Sequence, residues 1–334
     1  MRIALIARMD RTGLGYQTKA LFDMLKPVKT LVVGSTPFNG NEQNMEWFYT
    51  GDPDRFTAYT NGFPTDKAIE WLLQDVDILI TCEVPYHDRL YAMAREMGVK
   101  TVLQPNAELN PHFRQKDLDK PDYFFLPSTW YEQETRLLGV TTVVCPPPIE
   151  LIPDFRDIAK EIGTVKVLHV AGKRALGDRN GTSIVQIALK DVPGVELTVI
   201  EQSAKDFKDQ AEMYAGDYHI VLMPRRYGGL CLPMYEALSR GLPVLMSDIE
   251  PNRTVLPAEW LMRARGYKEL MAKRLIKAFI TDKNHLQDAV IRFRAMDQEQ
   301  YNNERHKAVS IFSDYQSDLT LWDFYLNRIM EGKL

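Results

Sequence analysis

Cysteine is scarce in this sequence. Its three residues, Cys82, Cys145 and Cys231, lie far apart in a chain of 334 and form no CxxC pair. That excludes a disulfide framework and a zinc ribbon, and it predicts reduced thiols in a reducing, cytoplasmic setting. Long hydrophobic runs are missing too. No stretch of 18 apolar residues occurs, so no membrane span is predicted. The opening MRIALIARMDRTG turns too soon to charge and glycine to read as a signal peptide. Excess charge of one sign is also absent, the net charge being −4. Residues 1–148 carry 15 Lys+Arg and 19 Asp+Glu, and subtraction from the totals of 41 and 45 leaves 26 of each beyond them. Neither half is a polycation, which removes bulk attraction to nucleic acid as a signature. His112, His285 and His306 have no HxxxH or HxH partner, so no metal site is expected.

What is present is ordinary globular composition, 45% hydrophobic and 26% charged, at a length that suits two domains. Short apolar runs alternate with amphipathic stretches. Strands are predicted at 2–7, 30–33, 77–81, 100–103, 123–126 and 142–145, and helices at 14–25, 67–74, 86–97 and 130–138. Residues 35–64, rich in Gly, Asn, Pro and aromatics, read as an irregular loop over a site with room for one short strand. Cys145 to Pro148 reads CPPP and breaks regular structure. The pattern then restarts, with strands at 165–170, 196–200, 219–223 and 243–247 and helices at 182–190, 207–214 and 232–240. From Tyr267 onward the chain reads as helical. Such alternation predicts an α/β fold of two doubly wound, Rossmann-like units facing a cleft, with ligands beyond the carboxyl ends of the strands. The predicted bounds are 1–148 for the first unit, 149–312 for the second and 313–334 for a closing helix.

The strongest signal is MPRRYGGLCLPMYEALSRGLPVLMSD, residues 223–248. A strand meets the glycine pair Gly228-Gly229 and Leu230, then a helix carrying Glu236, with Gly241 and Pro243 to end it. Glycines at a strand-to-helix turn let backbone N–H groups approach a diphosphate, and a carboxylate one turn into the helix can accept from a ribose diol. This segment resembles the signature of GT-B-fold glycosyltransferases, in particular glycosyltransferase family 4, also called glycosyl transferases group 1. The family pattern E-G-F-G-L-P-x-x-E-A-x-x-x-G-x-P-V is matched at Leu232, Pro233, Glu236, Ala237, Gly241, Pro243 and Val244. The resemblance implies the GT-B fold, a final helix that crosses back onto the N-terminal domain, and Glu236 on the nucleotide ribose. The family's first acid, implied to touch the donor sugar, is replaced by Gly228.

A second cradle is predicted at Gly172 to Gly181. There Lys173, Arg174, Arg179 and Asn180 stand in a glycine-bearing loop at a helix start, suited to a diphosphate. In the N-terminal unit Gly13 and Gly15 open the first helix, where the family keeps a glycine-rich loop, and Asp10 just before them is placed to meet a sugar hydroxyl. Catalytic groups are expected on loops at strand ends: Glu83 and His87 after one strand, Glu108 after the next. Glu83 is the first choice of general base if the anomeric centre inverts. The resemblance implies instead retention, without a metal, the cations easing departure of the nucleoside diphosphate from a UDP- or GDP-sugar. Asp52-Pro53-Asp54 is formally a DxD but reads as a turn. The alternatives are a viral-type transferase acting on hydroxymethylated bases in DNA, a nucleotide-sugar 2-epimerase, and a non-catalytic nucleotide-sugar binder. The acceptor is left open among a glycan, a small molecule and modified DNA.

Overall fold

The computed structural model describes residues 1–10, 12–34, 45–49, 51–113, 115, 117–149, 155–172, 177–201, 210–270, 276–318 and 320–334. They fall into two units, Met1–Glu150 with Gln316–Leu334, and Leu151–Tyr315.

The first unit opens with β1 (Ile3–Arg8), α1 (Gly13–Leu25) and β2 (Lys29–Gly34). It continues through β3 (Phe56–Asn61), α2 (Asp66–Leu73), β4 (Ile78–Glu83), α3 (Leu90–Glu96) and β5 (Lys100–Pro105). β6 (Tyr123–Leu126), α4 (Glu132–Arg136) and β7 (Thr141–Val144) complete the run. All seven strands are parallel, in the order β3-β2-β1-β4-β5-β6-β7. β1 reads IALIAR and is buried over its first five residues, because helices cover both faces of a parallel sheet. α1 starts where the Thr12 hydroxyl accepts from the Gly15 N–H at 3.3 Å. The strand order reverses between β1 and β4, so the crevice beyond their carboxyl ends is the topological switch point.

Within the loop predicted for 35–64, β3 forms as the edge strand, while residues 35–44 and 50 lie outside the described residues. Asp52 accepts from the Asp54 N–H at 2.9 Å, a side-chain-closed turn. The helix predicted from Tyr86 begins only at Leu90. Tyr86 has φ +67°, which no helical residue adopts, so the apolar spacing of 86–97 overran a turn.

The second unit holds β8 (Val165–Gly172), α5 (Thr182–Leu189), β9 (Val195–Glu201), α6 (Gln210–Met213) and β10 (Ile220–Met223). α7 (Leu232–Leu238), β11 (Val244–Ser247), α8 (Asn252–Val255) and β12 (Leu261–Met262) follow. The five strands are parallel in the order β12-β11-β10-β8-β9, and the switch point lies between β8 and β10. His169 is buried inside β8. Its Nδ1–H donates to the Leu222 carbonyl at 2.7 Å, so Nε2 accepts from the Thr182 hydroxyl at 2.8 Å.

Next comes an antiparallel hairpin, β13 (Ala264–Leu270) with β14 (Ile276–Thr281), where the sequence predicted helix. Its residues alternate with period two: Ile276 and Ala278 are buried while Lys277 is exposed. Tyr267 faces Phe279 across the ladder, and Lys277 lies 4.8 Å from the centre of the Tyr267 ring. α9 (Lys283–Ala295) and α10 (Gln298–Asp318) then lead to α11 (Leu321–Met330), which belongs to the first unit. Trp322, Leu326 and Ile329 form one face of α11 and join a core with Leu5, Phe22, Ile78 and Phe125. The Trp322 indole donates to the Pro146 carbonyl at 2.7 Å. Among the described residues no helix is long and apolar enough to cross a membrane.

Candidate functional site

At the switch point of the second sheet, the turn after β10 carries Arg225 to Leu230 into α7. Gly228 has φ +123°, a conformation side chains rarely adopt. A Cβ there would lie 2.1 Å from Nη2 of Arg179 and 2.5 Å from Nη2 of Arg225. Two guanidinium tips therefore converge on the bare face of the residue where the family pattern has an acid. Both are fixed by backbone carbonyls: Arg179 Nε and Arg225 Nε donate to Tyr227 at 3.2 and 3.1 Å, and Arg225 Nη1 donates to Leu230 at 3.1 Å. Paired guanidiniums held this way suit an anion with several oxygens. Gly229 lies in the same turn.

Glu236 sits inside α7 and is only 6% exposed. The Tyr214 hydroxyl donates to the Pro233 carbonyl at 2.9 Å and reaches Glu236 Oε2 at 3.4 Å. Burial, reinforced by the Glu236 charge, pushes the Tyr214 hydroxyl far above its usual range. Arg240 donates to the Glu236 carbonyl at 2.9 Å and lies 4.7 Å over the Tyr214 ring.

The α5 start differs from its prediction as an open anion cradle. Asp178 accepts from the N–H groups of Thr182 at 2.6 Å and Ser183 at 3.1 Å, so those donors are already taken. Burial disfavours that carboxylate, but the hydrogen bonds from Ser183 and Thr182 outweigh burial and hold it below its usual range. Asn180 gives its side-chain amide to the Val170 carbonyl at 2.9 Å, bridging loop to strand. Of the predicted cations here Arg179 reaches Gly228, while Lys173 and Arg174 lie outside the described residues.

At the first switch point β1 and β4 end in opposite charges. Arg8 pairs with Asp10 and stands 3.8 Å from Glu83. Asp10 is fully buried, its carboxylate taken by Arg8 and the Thr12 hydroxyl, so it anchors the turn instead of facing a sugar hydroxyl. Gly15 packs so tightly on this turn that a Cβ would lie 1.7 Å from the Asp10 carbonyl oxygen, and Gly13 opens α1 beside it. Glu83 has φ +72°, and the Val84 N–H donates across it to the Cys82 carbonyl at 2.9 Å. This is a γ-turn of the rare, strained kind. Burial lifts the Glu83 carboxyl to about 7; Arg8 opposes the rise and Asp10 and Glu108 add to it. The Tyr86 hydroxyl is buried beside this cluster, its own proton held more tightly by burial and by Glu83. For Arg8, burial disfavours the charge, but Tyr86 and Asp10 outweigh that and raise it.

Glu108 lies on the loop after β5 and is half-buried. His87 is not joined to Glu83: its Nε2 lies 2.9 Å from Asp66, and its Nδ1 accepts from the Arg89 N–H. The sequence reading missed Arg8, Tyr86, Arg225 and Tyr214. Arg8 had a usable signal, a charge ending an otherwise apolar strand; Tyr214 had none, since its partner lies 22 residues away. Among the described residues no three His, Cys, Asp or Glu side chains gather as a metal site.

No protein-family model matches the sequence, and no curated relative matches it either. Solved structures do. The GtfA/B complex aligns with a TM-score of 0.65 at 10% identity, over 99% of this chain and 100% of that one. HepE of Anabaena with UDP-glucose gives 0.62 at 12%, over 98% and 99%. The pneumococcal O-GlcNAc transferase GtfA with UDP and GlcNAc gives 0.61 at 10%, over 99% and 99%. The fold is GT-B. In it, the two charged clusters described above occupy the switch points of its two Rossmann-like sheets.

Proposed function

We propose that this protein is a glycosyltransferase that moves a sugar from a nucleotide sugar to an acceptor hydroxyl. The observation that carries the reading is the convergence of Arg179 and Arg225 on Gly228 at the second switch point, eight residues before the buried Glu236. The second unit binds the donor: Glu236, steadied by Tyr214, takes the ribose, and the arginines take the diphosphate. The first unit serves the acceptor, with Glu83 facing the reacting hydroxyl. UDP-hexoses are the first donors to try, because UDP and UDP-glucose occupy solved proteins of the same fold.

Transfer is retaining. The bond from the sugar's anomeric carbon to the diphosphate breaks, the bond to the acceptor oxygen forms on the same face, and the acceptor proton leaves with the diphosphate. Guanidiniums neutralise the departing charge, the task a metal ion performs elsewhere. One observation favours a second reading, inversion with Glu83 as general base: a carboxyl near 7 is poised to take a proton at neutral pH. The anomeric configuration of the first product, read by proton NMR, separates the two. The few, widely separated and buried cysteines Cys82, Cys145 and Cys231 fit a reducing compartment.

A thermal-shift screen with UDP-, GDP-, ADP- and dTDP-sugars tests donor binding. A donor at 100 times its dissociation constant adds about 2.7 kcal/mol of stability. Glu236→Ala is expected to abolish that shift, and an undiminished shift in the variant removes Glu236 from the site.

A further inference from the structure

We propose that Phe113, Trp130 and Tyr131 form an acceptor platform on the first unit, and that its ligand is a neutral pyranose. The inference rests on the glycosyltransferase reading above and names the acceptor class for it.

The position comes from the sheet. Phe113 ends the turn Pro111–Phe113 after β5, and Trp130 and Tyr131 follow β6. β4, β5 and β6 are consecutive neighbours, about 5 Å apart, so the loops that carry these residues leave the same carboxyl edge of the sheet on which Glu83 ends β4. The rings make one group, with centroids 5.8 Å apart for Phe113–Tyr131 and 4.9 Å for Trp130–Tyr131. Phe124 and Phe125, on the strand between them, are fully buried, whereas all three platform rings are half-exposed. Tyr131 is held at φ +61°, a left-handed conformation that costs a bulky residue energy and turns its ring out of the helix that follows.

The surroundings choose the ligand. Burial raises the Tyr131 hydroxyl first, and the charges of Glu134 and Glu108 raise it further. Glu108 acts on Glu83 as well, so one carboxylate is within electrostatic reach of both platform and proton acceptor. Ring faces carry negative charge and attract the C–H face of a pyranose. Carboxylates accept from its hydroxyl edge. A phosphate- or sulfate-bearing acceptor would instead meet like charge from Glu108 and Glu134.

Saturation-transfer NMR on the full chain with lactose, maltose and cellobiose tests this without any donor, so its outcome is independent of donor binding. We expect transfer to pyranose C–H protons of at least one of them, at least tenfold weaker in Trp130→Ala and in Phe113→Ala, and kept in Trp130→Phe. Both alanine variants should melt cooperatively and keep the donor-induced thermal shift. No transfer from any of the sugars, or equal transfer in the folded alanine variants, overturns the proposal. So does transfer to deoxycytidine alone, which would make the rings a nucleobase platform.

Discussion

Glu83 joins three properties that rarely meet in one residue: a left-handed backbone, a largely buried carboxyl and a guanidinium 3.8 Å away. Each has a cost, and each constrains the same few atoms at the end of β4. The carboxyl titrates at about 7 in the folded chain against an ordinary value of 4.5. Between those values the folded state holds more proton than the unfolded one, so stability falls as pH rises through that window. A displacement of this size corresponds to at most about 3 kcal/mol. Glu83→Gln removes the titration and leaves Arg8 paired with Asp10. Calorimetry at pH 5 and pH 8 should therefore show the variant gaining stability relative to the parent at the higher pH. An equal difference at both pH values would falsify the buried titration.

At the scale of elements, α11 contributes to a sheet whose first strand lies more than 300 residues earlier. Trp322 is fully buried, packs 5.2 Å from Phe125 by ring centroids, and fixes the Pro146 carbonyl. Trp322→Ala should cost about 3–5 kcal/mol, read as a lowered denaturant midpoint. A cost under 1 kcal/mol would mean that the helix does not complete this core. A closing helix was legible in the sequence, as were the buried parallel strands, because continuous apolar runs allow few other fates. The hairpin was not legible. Tyr267, Lys268, Glu269 and Lys277 are exposed, and a strand whose outward face is charged gives little period-two contrast. The site was legible in part. Glu236 and Gly228 announced themselves by register in a motif. Arg8 with Glu83 and Tyr214 with Glu236 did not, because each pair meets only through strand order or a loop's return. What Gly228 meets was also invisible: its φ of +123° strains any side chain, and the guanidinium tips of Arg179, 49 positions earlier, and Arg225 close on it.

At the scale of the whole molecule, two parallel sheets each reverse their strand order once, and each gathers its charges at that reversal. Donor binding should therefore leave a localised footprint in the second unit. With a UDP-sugar bound, amide exchange should slow in 177–182 and 223–238, at the carboxyl ends of β8 and β10. It should be unchanged at the opposite-end turns 190–195 and 215–219. Protection of those turns in place of the switch point would sink the donor assignment. The discontinuity of the first unit also sets an order in time. Residues 316–334 leave the ribosome only after all of Leu151–Tyr315 has been made, a wait on the order of ten seconds. Until then the core that holds Phe125 and Ile78, covered in part by Leu21 and Phe22 of α1, lacks Trp322, Leu326 and Ile329. The unit synthesised first is thus the last to finish folding, and in that interval it depends on being shielded from other chains.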